Sequence, residues 1–390
     1  MACHAGSSQM SQAIEDIQEA IRSAAAEHTP FNIKGRGTWT SAYRHASAAR
    51  DLSLWNYAGV QEYVPGNLTM TVRAGTTLRE ISEIAGAENQ WLPLDPFGDA
   101  EGTIGATIAT CSHGPLATGF GTPRDLVLGV EAVLGSGEIV RGGGRVVKNV
   151  AGYDLSRLLT GSWGTIGAVS EVSLRLFAKQ EAESSVAIAL PEKRQAASAL
   201  IASIRAAAIF PWAMEIVDPK LAAALDLPEA AYLAMRFGGN KNVVRSQVET
   251  VSALGNALSL PDDFWKDMTA VPHGWSLRMS GLPSSLFDTW DAAGRLVTDA
   301  GSGFRTIAPE RGVARVFFPS DIDSAHLFTS LGQFAANTQS SGLRIIVEAM
   351  PSVSPLTSFI TDREVANGLS AGIKRIFDPN NILNPGLLPQ

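Results

Sequence analysis

Cysteine is nearly absent from the 390 residues: Cys3 and Cys111 are the only two. Two thiols so placed build neither a disulfide framework nor a zinc ribbon. Histidine is also sparse. His4, His28, His45, His113, His273 and His326 include no pair at the HxH or HxxxH spacing that local metal sites leave, so no metal centre is expected. There is no lysine/arginine run and the net charge is -7, which argues against a nucleic-acid partner. No apolar stretch is long enough to span a bilayer. The opening residues, MACHAGSSQMSQAIEDIQEA, lack the basic region and continuous apolar run of a signal peptide, so a cytoplasmic location is expected, free or peripheral to a membrane. The nucleotide motifs are missing too. There is no GxxxxGK[ST] stretch, and the pairs Gly35/Gly37, Gly119/Gly121 and Gly142/Gly144 each lack the third glycine of a dinucleotide fingerprint.

What the chain has instead is glycine in clusters. Arg141 to Leu176 carries Gly142-Gly143-Gly144, then Lys148-Asn149 and Tyr153-Asp154, then Gly161, Gly164 and Gly167, and closes on the alternating strand pattern Val172-Leu174-Leu176. Glycine loses the most backbone freedom on folding, so such clusters mark tight turns or main chain brought close to a ligand. Upstream, Ile14, Ile17 and Ile21 make a helical stripe, Pro30 breaks it, and the strand Phe31 to Lys34 runs into Gly35-Arg36-Gly37-Thr38. Leu68-Met70-Val72 reads as a strand. Thr77 with Glu80 reads as a capping box for a helix from Leu78 to Ala85. Glu101 to Thr110 has little bulk on either face, which suits a ligand lying against the backbone or a helix packed closely on a sheet. Val127 to Val140 reads as two strands around the turn Gly135-Ser136-Gly137. Beyond a boundary near Lys179-Gln180-Glu181, helices at Ala196–Ala208, Ala222–Leu225 and Val243–Leu258 alternate with short strands such as Ala231–Met235 and Arg344–Val347.

Six motifs in order carry a resemblance: KGRGT at 34–38, VRAGTTLREI at 72–81, GTIGATIAT at 102–110, RDLVLGVEAVLGSGEI at 124–139, VKNVAGYDLSRLLTGSWGTIGAVSEVSL at 147–174 and FDPNNILNPG at 377–386. Together they resemble the PCMH-type FAD-binding fold of the vanillyl-alcohol oxidase superfamily and D-2-hydroxyacid dehydrogenases. Within it they are most similar to the smaller flavin-binding subunits of bacterial glycolate oxidases. The resemblance implies an α+β fold in three parts: a two-subdomain FAD-binding domain over 1–180, an α+β cap or partner-binding domain over 181–365, and a segment over 366–390 that packs back on the FAD domain. It also implies a non-covalent FAD site. Backbone donors of Gly35, Arg36, Gly37 and Thr38 would form an anion nest for the pyrophosphate. Gly102, Thr103, Ile104, Gly105, Ala106, Thr110 and Ser112 would line the other side. Gly164, Gly167 and Val169 would approach the adenosine half, and Asn384 the ring.

Relatives with a histidyl-flavin bond carry histidine in the glycine turn, where this chain has Thr38 and Trp39. Cys111 and His113 read as packing or turn residues. The catalytic dehydrogenases carry a histidine pair seven residues apart and a later Glu-His. Here no histidines have that spacing, neither His273 nor His326 follows a glutamate, and Trp163 stands where they have glutamate. The resemblance therefore implies a subunit that relays electrons in a complex with a larger catalytic flavoprotein and an iron–sulfur subunit. Through that complex it would meet a small 2-hydroxy acid, glycolate or D-lactate, and would sit peripherally on the inner membrane. The alternatives are a self-sufficient FAD dehydrogenase, with Arg278, Arg311, Arg315 or Arg344 clamping the substrate carboxylate, and a scaffold whose flavin site has decayed.

Overall fold

The computed structural model describes residues 13–37, 49–144, 154–271, 274–338, 342–349 and 364–387. The isoleucine stripe forms α1 (Ile14–Glu27), which buries Ile17, Ile21 and Ala24. After it, β1 (Phe31–Lys34) pairs in parallel with β2 (Arg50–Ser53). The chain continues through β3 (Val60–Val64), β4 (Thr69–Arg73), α2 (Leu78–Ala87), β5 (Gln90–Trp91), α3 (Ile104–Thr110), α4 (Ala117–Phe120), α5 (Pro123–Leu126), β6 (Val127–Val133), β7 (Ile139–Gly143), α6 (Leu155–Leu159), β8 (Ala168–Arg175) and β9 (Phe177–Ala178). β3, β4, β8, β6 and β7 lie in that order in an antiparallel sheet. The capping box of α2 forms: Glu80 N donates to Thr77 Oγ1 at 3.1 Å, and Thr77 N donates to Glu80 Oε2 at 2.8 Å.

The small-residue segment becomes α3. Ile104 and Ile108, one turn apart, are fully buried against Val72 and Val172 of the sheet. That contact leaves the opposite side of the helix to Ala106, Ala109 and Thr110.

The second half runs β10 (Ala182–Ala189), α7 (Arg194–Ala206), β11 (Ala213–Val217), α8 (Pro219–Ala224), β12 (Tyr232–Gly239), α9 (Lys241–Leu254), β13 (Ala257–Ser259), α10 (Phe264–Ala270), β14 (Trp275–Ser280), α11 (Leu286–Asp299), β15 (Phe304–Ala308), β16 (Val313–Phe318), α12 (Ser324–Thr338) and β17 (Arg344–Ala349). Its strands form one eight-stranded sheet in the order β13-β10-β12-β11-β15-β16-β14-β17, antiparallel at every pairing. The helix expected over Val243–Leu258 stops at Leu254, because Gly255 ends it and Ala257–Ser259 pair with β10.

After α13 (Glu364–Phe377) the chain returns to the first half. Phe31 N donates to Ile382 O at 2.6 Å, and Asn384 N donates to Phe31 O at 2.9 Å. Lys374 Nζ, largely buried, donates to Thr165 O at 2.8 Å, Leu383 O at 2.9 Å and Asp378 Oδ2 at 2.7 Å. Burial pulls its pKa below the ordinary lysine value, against the opposing pull of Asp378. Among the described residues no helix is long and apolar enough to cross a membrane.

Candidate functional site

Six separate stretches of chain meet around one cleft, whose empty space together with the solvent at its mouth is ≈ 670 Å³. The end of β1 and its turn supply Ile33, Lys34, Gly35, Arg36 and Gly37; Leu54 and Ala74 follow the next strands. The free side of α3 supplies Thr103, Gly105, Ala106, Ala109 and Thr110. The loop before β8 supplies Trp163, Gly164 and Val169, and the returning tail supplies Asn384. A second cleft of ≈ 330 Å³ shares Thr103, Ala106 and Thr110 with it and adds Gly102, Thr107, Ser112, Phe97, Pro96, Asp99 and Leu78. The two therefore run on along one face of α3.

The expected site residues fall mostly on these walls. Gly35, Arg36, Gly37, Thr103, Gly105, Ala106, Thr110, Gly164, Val169 and Asn384 line the larger cavity, and Gly102 and Ser112 the second. Ile104 and Gly167 do not. Ile104 points into the core below α3, and Gly167 packs between Leu159, Ala132 and Leu134. Thr38, like Trp39, lies outside the described residues. The sequence reading missed Ile33, Lys34, Leu54, Ala74 and Ala109 as lining residues; Lys34, Ala74 and Ala109 lie inside the quoted motifs and Ile33 beside one, while Leu54 carries no such signal.

The glycines have a physical cause that the sequence leaves open. A Cβ on Gly35 would overlap Thr103 Oγ1, and one on Gly105 would come within 2.5 Å of Ala74 Cβ. These glycines let the walls pack against each other and set the width of the cleft. Gly164 adds a backbone reason, with φ of 67° in the left-handed region. Arg36 does not turn inward as a lone cation: it pairs with Glu101, which Arg79 also holds, and its guanidinium lies 5.0 Å over the Trp55 ring. Asn384 ties the walls together, accepting from Ile33 N at 2.6 Å and donating to Trp163 O at 2.8 Å. The Trp163 side chain belongs to the apolar core of the eight-stranded sheet, so this loop bridges the two halves.

Where α3 ends, a buried ionic group joins the halves. Cys111 O accepts from His113 Nδ1 at 2.9 Å and from Arg278 Nη1 at 3.3 Å, and His113 O accepts from Arg315 Nη2 at 2.6 Å. Burial, reinforced by Arg315 and Arg278, holds the His113 imidazole well below its usual pKa. Nδ1 faces both the Cys111 carbonyl and, at 3.5 Å, Arg278 Nη1. Nε2 has no hydrogen-bond partner among the described residues. Arg311 Nη1 donates to Ala117 O at 3.1 Å. Burial raises Asp95 to about 7 and Glu215 to about 8; for Glu215, Asp95 adds to the rise while Arg315 opposes it. Arg344, the fourth arginine singled out from sequence, is exposed at the start of β17. Among the described residues no group of three histidine, cysteine, aspartate or glutamate side chains could hold a metal ion.

A cleft walled by small residues between the β1 turn and α3, in a chain that joins a five-stranded antiparallel sheet to an eight-stranded one, defines a flavin-binding oxidase fold. The chain belongs to the FAD-linked oxidases of PCMH and vanillyl-alcohol oxidase type, a family of FAD-dependent oxidoreductases. It matches the family model "FAD binding domain" over residues 11–143 and "FAD linked oxidases, C-terminal domain" over 179–299 and 361–388. FAD is accordingly its cofactor. The glycolate oxidase subunit GlcE of Escherichia coli (strain K12) is 35% identical over 44% of this chain and 49% of its own length. The glycolate oxidase subunit GlcD of Bacillus subtilis (strain 168) is 36% identical over 50% of this chain and 43% of its own. The chain thus spans about half the length of the curated relatives it matches. The solved structure of 4-ethylphenol oxidase from Gulosibacter chungangensis has the same fold, with a TM-score of 0.72 at 15% identity over 97% of this chain and 88% of that one.

Proposed function

We propose that this chain is the FAD-binding subunit of a heteromeric glycolate oxidase or dehydrogenase, and that its flavin relays electrons instead of housing the step that oxidises the acid. The observation that carries the reading is the cleft itself: five motif-bearing stretches meet in it, and at its walls a Cβ on Gly35 or Gly105 would collide with Thr103 or Ala74. That wall chemistry fits FAD, whose pyrophosphate needs donors without bulk. In this reading residues 1–180 hold the cofactor, 181–365 form the cap or partner-binding part, and 366–390 pin the cap's end to the FAD domain. Backbone N–H groups of Gly35, Arg36, Gly37 and Thr38 would hold the pyrophosphate. The bare side of α3, with Gly102 and Ser112 at its ends, would lie along the cofactor. Gly164 and Val169 would bound the adenosine half.

When bound, FAD supplies a two-electron acceptor, and oxidation of glycolate to glyoxylate releases two electrons and two protons. The protein's part is to bind, orient and exclude water. Its two cysteines cannot ligate a four-cysteine cluster, so an iron–sulfur partner would be another polypeptide, and a larger catalytic flavoprotein would supply the oxidation site. Such a complex could rest on the inner face of a membrane. D-lactate, one methyl larger, is the next acid to try.

The self-sufficient dehydrogenase is favoured by one observation: His113 presents a neutral ring with an unpartnered Nε2 beside Arg278 and Arg315. Against it, both guanidinium groups are already engaged. The purified chain separates the readings. The relay predicts a flavin spectrum that glycolate leaves unchanged until the catalytic subunit is added. Bleaching by glycolate or D-lactate alone indicates the dehydrogenase, and absence of flavin absorbance indicates a scaffold.

A further inference from the structure

Arg278 on β14 and Arg315 on β16 stand directly opposite each other in the sheet register. Their side chains are only 9% and 2% exposed, so two like charges face each other away from water. Like charges directly across a sheet are unfavourable, and burying them adds a large desolvation cost. One carboxylate offsets this. Glu348 on β17 divides its oxygens between the two, with Oε1 3.2 Å from Arg278 Nε and Oε2 3.0 Å from Arg315 Nε. The register between β14 and β17 slips at this point: Leu277 pairs with Val347 and Ser276 with Ala349, which leaves Glu348 as the extra residue of a bulge. Bulges re-aim side chains, and this one delivers a carboxylate to the arginine pair.

The group lies buried one layer behind the wall of the second cleft, which Phe97 and Ser112 line. Each guanidinium also donates to the segment that follows α3, at Cys111 O and His113 O, and Arg315 lies 4.5 Å over the ring of Phe97, which lines the second cleft. Two converging arginines are the recognition chemistry for a small carboxylic acid.

We propose that Arg278 and Arg315 form a carboxylate-binding site behind the cleft wall that the protein fills with its own Glu348, and that this internal ligand leaves the pair no vacancy for the carboxylate of a free 2-hydroxy acid. The proposal rests on the reading of the cleft as the flavin site. It accounts for a flavoprotein of this fold that leaves oxidation to another subunit: the place of the substrate carboxylate is taken by a side chain.

Glu348→Ala tests it, because the atoms removed beyond Cβ amount to one acetate ion. In the full chain with its FAD, wild-type Tm should be the same in sodium acetate and sodium chloride of equal ionic strength. E348A should lose several degrees in chloride and regain at least half of that loss in acetate, or recover solubility only in acetate. Adding Arg278→Met to E348A should remove the acetate effect. An E348A protein no more stable in acetate than in chloride, or insoluble in both, would overturn the proposal. So would wild-type protein that acetate stabilises as strongly as it does the variant. The flavin spectrum, recorded on the same samples, keeps the two readings apart. Loss of rescue with flavin still bound is failure of this proposal alone, whereas absent flavin in wild type is failure of the cofactor placement.

Discussion

Glu215 is fully buried in β11, and burial together with Asp95 raises its carboxyl to about 8. Between the ordinary glutamate range near 4.5 and about 8, the folded protein retains a proton that the unfolded chain has lost. The group's contribution to stability is therefore intact at low pH and declines as pH rises through that window. His113 works in the opposite sense, because its depressed pKa costs stability as pH falls below about 6.5. Glu215→Gln isolates the first effect: the Tm of E215Q should gain on wild type steadily from pH 5 to pH 8. Parallel Tm curves would contradict the assignment. Asn384 is the other decisive single residue. Asn384→Ala removes the side-chain bonds to Ile33 N and Trp163 O, a loss of about 1–3 kcal/mol for groups left unpaired, seen as a lowered denaturant midpoint and faster release of FAD.

Among the elements, α3 sets the site. Its lack of bulk was legible in the sequence, but which side is buried was not: Ile104, expected on the cofactor wall, packs with Ile108 into the core. Nor was it legible which neighbours need its glycines, because Ala74 and Gly35 come from other strands and meet α3 only in the fold. Gly105→Val should drive side-chain atoms into Ala74, cost about 1–3 kcal/mol as overpacking, and sharply lower the flavin-to-protein absorbance ratio. Normal flavin content in that variant would mean that the cofactor does not lie against α3. The capping box of α2 was equally legible, since both of its partners are three residues apart. The Arg278–Glu348–Arg315 group was not. Its members sit on three strands, far apart in sequence, and the bulge that aims Glu348 leaves no mark in composition or period.

At the scale of the molecule, two sheets of different size share a boundary made of main-chain acceptors after α3 and arginines from the larger sheet, while the tail locks both to β1. Removing the chain after Phe377 should therefore strip the FAD half of its contacts at Phe31, Ile33 and Trp163, with loss of bound flavin as well as lowered Tm. A truncated chain that keeps its flavin would show that the tail is dispensable to the site. The six motifs were visible because each is local; the convergence of five of them on one cavity is a product of topology. The central claim, a flavin subunit that does not itself oxidise the acid, is tested most directly by anaerobic visible spectroscopy of the purified chain with excess glycolate. The account predicts an unchanged oxidised-flavin spectrum that bleaches once the larger catalytic flavoprotein is added; bleaching by glycolate alone would contradict it.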